Sequence, residues 1–179
     1  LGIGITSSSH PNYPNRMFIT DGNGTYTHTT QDSFTPGNWY HLAVTSDGAD
    51  QITMYFNDQD HTVTLSLGDL FDQNPEFFLG GTIDNGNLVK GFLGAMDDVR
   101  IWDHEKNKDQ IINNMYTIFH TPTTNLVGYY RFDKIPENET VTYDNSGYGN
   151  AGTLNNFNAN AIDGSNNLLT THAWISNPE

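Results

Sequence analysis

The chain has 179 residues, enough for one well-buried core and too few for two large domains. Seven Lys and Arg stand against 21 Asp and Glu, a formal net charge of −14, so nucleic acid and anionic membrane drop out as partners and cations are favoured. No cysteine is present to form a disulfide, and no run of about 18 apolar residues could span a bilayer.

The apolar share is 35% but includes 10 Phe, 9 Tyr and 3 Trp, the few bulky side chains that fill a thin two-sheet sandwich. Only five of the acids are Glu, so most are Asp, a turn residue and calcium ligand, which argues against long helices. The strand signal is alternation with period two, bounded by Gly, Asn, Asp and Pro. It predicts strands over residues 1–5, 16–20, 25–30, 39–46, 51–57 and 61–67, with turns at Asp21-Gly-Asn-Gly24, Asp47-Gly48 and Asn57-Asp-Gln-Asp60. Strands over 77–81 and 91–102 follow, separated by a Gly/Asn loop from Asp84 to Asn87. From Asp103 onward, Ile111, Ile112, Met115 and Tyr116 fall at helical spacing, which predicts about three turns with one face buried. After a Thr/Pro linker at 121–125 come strands over 126–132 and 141–143. A Gly/Asn stretch follows, with an apolar island at Thr153-Leu154, and then a last strand over 172–175. Many short strands and one late helix predict an all-β, antiparallel two-sheet jelly-roll sandwich.

Three segments resemble the laminin-G-like/pentraxin jelly-roll family of the concanavalin A-like lectin/glucanase superfamily. Gly37-Asn-Trp-Tyr-His-Leu-Ala-Val-Thr-Ser-Asp-Gly48, followed by Ile52-Thr-Met-Tyr-Phe-Asn57, looks like the family's central hairpin. Phe77-Phe-Leu-Gly80 and Gly91-Phe-Leu-Gly-Ala-Met-Asp-Asp-Val-Arg-Ile-Trp-Asp103 resemble its closing strand and the helix after it. Leu126-Val-Gly-Tyr-Tyr-Arg-Phe-Asp133, with Asp144-Asn-Ser-Gly-Tyr-Gly-Asn-Ala-Gly-Thr-Leu154, looks like its opening strand and first loop. The opening segment thus stands after the closing one. Either the chain is a fragment starting inside a domain, or residues 125–179 return to the same sandwich in permuted order. The second is favoured, because Leu126, Val127, Tyr129, Tyr130 and Phe132 would otherwise expose apolar surface. The expectation is one jelly-roll over 1–179, with residues 1–120 supplying the central and closing strands plus the helix. The tail strand, residues 126–132, is expected to be central or near-central in that sandwich, beside the strand that holds Asp97.

Calcium takes six to eight oxygens, and Asp133, Asp144, Asn145 and Asn150 surround a Gly-rich loop that offers carboxylates and freely turned carbonyls. The same residues also simply make turns. The resemblance implies that Asp97 matches an acid holding a structural calcium in related jelly-roll modules; pairing with Arg100, or solvation, is the alternative. It also aligns the loop around Asp84 and Asn85 with the pentraxin ligand-calcium loop, of which only Asp84 keeps the acid. Tyr13, Tyr26, Tyr148 and Trp174 lie in or near loops, where ring faces can stack on pyranoses. Trp39 and Trp102 are expected to pack in core strands, and His41 to be a structural histidine.

Catalytic residues are expected to be absent. The five Glu, at 76, 105, 137, 139 and 179, do not form the Glu-x-Asp-x-x-Glu of the superfamily's glucanases, and no hydrolase or phosphate-loop motif occurs. A lyase built from Tyr129, Tyr130 and Arg131 is conceivable, but alternation in a core strand explains these residues. The leading expectation is therefore a non-catalytic, calcium-stabilised glycan-binding or adhesion module of a larger secreted or cell-surface protein. A structural or protein-binding laminin-G-like module is the first alternative and a polysaccharide-active enzyme the second.

Overall fold

In chain order the strands are β1 (Gly2–Ile5), β2 (Arg16–Thr20), β3 (His28–Ser33), β4 (Leu42–Ser46), β5 (Gln51–Phe56), β6 (Gln59–Thr64), β7 (Thr82–Asp84), β8 (Asn87–Val89), β9 (Ala95–Met96) and β10 (Val99–Trp102). Helix α1 (Lys108–Asn114) precedes β11 (Leu126–Tyr130), β12 (Val141–Thr142), β13 (Gly152–Thr153), β14 (Phe157–Asn158) and β15 (Trp174–Ser176). The computed structural model describes residues 2–20, 28–49, 51–64, 78–84, 87–89, 92, 94–132, 141–154, 157–158 and 174–176. Every strand pairing among them is antiparallel, as expected for an all-β fold of the concanavalin A-like kind. The chain divides into two compact units, residues 1–75 with 105–117, and residues 76–104 with 118–179.

The first unit holds two three-stranded sheets, β1-β2-β3 and β4-β5-β6. Alternation decides its core. Met17 and Ile19 on the middle strand of one sheet, and Ile52 and Met54 on the middle strand of the other, form one cluster and are each 0% exposed. Residues two apart share a face, so each middle strand turns one face to the core, and Phe34, Val44 and Val63 pack around it. Polar side chains set the hairpins. Asp47 Oδ1 accepts the amides of Ala49 (2.8 Å) and Gln51 (3.1 Å), with Gly48 at φ +80°. Asn57, at φ +55°, opens a two-residue turn, so β6 begins at Gln59 rather than at 61.

The helix is shorter and later than its apolar spacing predicts. Asn107 caps it, accepting the Gln110 amide at 2.9 Å, while Gln110 Oε1 accepts the Asn107 amide at 3.0 Å. This capping box starts the helix at Lys108, so residues 103–107 stay non-helical and α1 has two turns, not three. Ile111 is buried, but Tyr116, expected on the buried face, is 89% exposed beyond the last turn. Lys108 Nζ reaches Asp60 on β6 at 2.6 Å, and that bond holds the Asp60 carboxyl below its ordinary value.

The second unit contains the pairs β7-β8, β10-β11 and β12-β13 and the sheet β14-β15-β9. Its core cluster joins Tyr130 and Phe132 to Leu79, Val99, Ile101 and Leu154. The pairing of β11 with β10 bears out the placement of the tail strand beside the Asp97 segment. Three expectations need correction. Residues 78–81 are not strand. The Gly/Asn segment instead carries paired strands, with Thr82 opposite Val89. The 91–102 strand is broken at Asp97-Asp98 into β9 and β10, because Asp98 sits at φ +51°, which a continuous strand cannot accommodate.

Met54→Ala should cost about 2–5 kcal/mol in urea unfolding, the usual range for emptying a closed core site. Tyr116→Ala should stay within about 0.5 kcal/mol of the parent. Equal losses for the two would show that the alternation does not define the core.

Candidate functional site

The densest polar construction among the described residues is the loop after β12, and its centre is the Asp144 carboxylate. Oδ1 accepts the amides of Tyr129 (2.9 Å) and Ser146 (2.8 Å). Oδ2 accepts the Ser146 hydroxyl (2.7 Å) and the Asn150 amide (2.9 Å). The Asn145 amide donates to Tyr129 O at 2.7 Å, Asn150 Nδ2 donates to Val127 O at 2.8 Å, and the Tyr130 hydroxyl donates to Asn150 O at 2.6 Å. The loop is thereby stitched to β11 along Val127, Tyr129 and Tyr130. Burial pushes the Asp144 carboxyl upward, but the bonds from Ser146, Tyr129 and Asn150 outweigh it and leave the group below its ordinary value. The Tyr130 hydroxyl moves up, through burial and then the Asp144 charge.

Beside this loop lies a shallow, open recess of about 300 Å³, lined by Pro122, Thr123, Thr124, Ser146, Gly147 and Tyr148. Gly147 lines it at φ +94°, and a Cβ there would stand 3.1 Å from Pro122 Cγ, so backbone and proline ring meet closely. Ser146 is fully buried, and its Oγ accepts the Tyr148 amide at 3.2 Å. The ring of Tyr148 is 60% exposed. The wall therefore combines threonine hydroxyls, a proline ring and an open phenol on a loop fixed from below.

The other acid pair works differently. Asp97 Oδ1 accepts the Asp98 amide at 2.9 Å and stabilises the kink between β9 and β10. Asp98, rather than Asp97, meets Arg100, at 3.4 Å, and accepts the Tyr129 hydroxyl at 2.7 Å. The Arg100 guanidinium also lies over the rings of Phe119 (5.2 Å) and Tyr129 (5.5 Å). Burial, and then the bond to Asp98, raise the Tyr129 phenol, so it stays protonated as a donor. Its ring is fully buried, and Tyr130 nearly so, which removes both from reach of a polysaccharide.

The structure thus brings together Asp144, Asn145, Tyr148 and Asn150, while Asp97 accepts the neighbouring Asp98 amide. Asp133, Asn85 and Tyr26 lie outside the described residues, and only the strand positions of Asp84 and Trp174 are described. Tyr13 is 42% exposed in the first unit, stacked on His10 with their ring centroids 5.6 Å apart. Both Asp144 oxygens are filled by protein donors, and among the described residues no three His, Asp or Glu come together to hold a metal. Trp102 packs edge-on against Phe119 at 5.7 Å, as expected, but Trp39 does not pack: it is 63% exposed. The Ser146 and Pro122-Thr-Thr124 contributions were missed, although an Asp with Ser two residues on is itself a turn signature.

A laminin-G family profile, described as the concanavalin A-like lectin/glucanases superfamily, matches residues 2–112. The chain belongs to this superfamily. Pappalysin-1 of Mus musculus is 28% identical over 144 residues, which is 75% of this chain and 9% of pappalysin-1. The crystal structure of an S-layer domain-containing protein (residues 221–444) from Clostridium thermocellum is 25% identical, covering 55% of this chain and 49% of that one, with a TM-score of 0.39. Laminin-G-like domains of larger proteins generally bind other molecules rather than catalyse. The Asp144 loop and its recess lie beyond the matched residues, so their role is argued from geometry.

The depressed Asp144 carboxyl sets a pH dependence. A group lowered on folding stabilises above its unfolded value and loses that contribution as pH falls through its folded value. Asp144→Asn should therefore lower stability by about 1–3 kcal/mol at pH 7, and the gap to the parent should close below about pH 4. Melting curves from pH 7 to 3 check this; a gap that is constant with pH would show that the charge is irrelevant.

Proposed function

We propose that the chain is a non-catalytic binding module that takes a glycan at the recess between Pro122-Thr-Thr124 and Ser146-Gly-Tyr148, within a secreted or cell-surface protein. The observation that carries this reading is the exposed Tyr148 ring beside hydroxyl-bearing walls, on a loop held by four hydrogen bonds to one carboxylate. A phenol face takes the apolar face of a pyranose while threonine hydroxyls meet its own hydroxyls. Because the loop is fixed before the ligand arrives, little ordering entropy opposes binding. Superfamily membership supports a binding role. Among the described residues no helix is long and apolar enough to cross a membrane.

The non-catalytic reading is supported by the burial of Tyr129 and Tyr130 and by the missing glucanase carboxylates. Incubation with polysaccharides should release neither reducing ends nor unsaturated products. Release in proportion to protein, lost in Tyr130→Phe, would replace the module with an enzyme.

A glycan array followed by calorimetry should find a ligand whose affinity falls about tenfold in Tyr148→Ala, with the melting temperature unchanged. A protein partner that binds while every glycan fails would favour the adhesion alternative.

With Asp144 already saturated, we further propose that neither folding nor binding at this loop needs calcium. Millimolar calcium or excess chelator should leave the melt unmoved. Stabilisation approaching about 2.7 kcal/mol, as expected at roughly a hundredfold over the dissociation constant, would restore the ion, with Asp97 and Asp133 as its ligands.

A further inference from the structure

We draw no further inference here: the strongest candidate, the outer edge of β1, where Ile3 is 50% exposed within the acid-free residues 1–20, is an uncharged strand edge and nothing in the structure shows what covers it.

Discussion

The carboxylate of Asp144 exchanges its water shell for four protein donors, and the chemistry of the second unit is arranged around that exchange. A half-buried anion loses hydration, which only hydrogen bonds of good geometry can replace. Here those bonds come from one strand residue, Tyr129, and from two loop residues, Ser146 and Asn150. One side chain therefore fixes the loop's internal turn and its attachment to β11 together. The recess inherits its shape from this, since Ser146, Gly147 and Tyr148 lie between the two loop anchors.

The same device recurs across the chain. Asp47 closes the β4-β5 turn, Asn57 ties the next turn to the segment before β4, and Asn107 caps the helix. Short polar side chains that bond to nearby amides make compact turns possible where the apolar content is modest. Part of the Asp-rich, acidic composition is thus structural. Asp98 shows a different use: with Tyr129 and Arg100 it forms a polar cluster against the Phe119 ring, where charge and packing are satisfied together. Holding such a guanidinium between rings and a carboxylate keeps a cation inside a thin core without leaving it uncompensated.

Some aromatic rings on this fold are not absorbed by the strands. Tyr148 and Trp39 are both exposed, and both sit on segments whose neighbours are anchored by hydrogen bonds. Rigid exposure of that sort leaves apolar area in water and is sustained only because the surrounding turn is stabilised independently. The two rings belong to different units. Trp39 falls within the residues that match the superfamily, whereas Tyr148 follows them.

The sequence by itself placed the strands of the first unit, with the starts of β4 and β6 two or three residues from those observed. Period-two alternation at Met17 and Ile19, and at Ile52 and Met54, leaves only one face able to bury, and Asn57 and Asp47-Gly48 announce their turns through local backbone preference. It also determined that Tyr129, Tyr130 and Phe132 would be covered, because an apolar run on both faces cannot stay in water. What it could not determine was the partner of each polar atom. Whether Asp144 faces an ion or three amides and a hydroxyl depends on β11 arriving from 15 residues away, and whether Asp97 or Asp98 meets Arg100 depends on a kink set by one positive φ. The helix start turned on a reciprocal bond between Asn107 and Gln110, which the apolar spacing from Ile111 onward does not reveal. The family resemblance placed Trp39 in a core strand, yet only the tertiary structure decided its fate: the rings of Phe34 and Phe56 take Tyr40 instead, and the indole is left facing solvent.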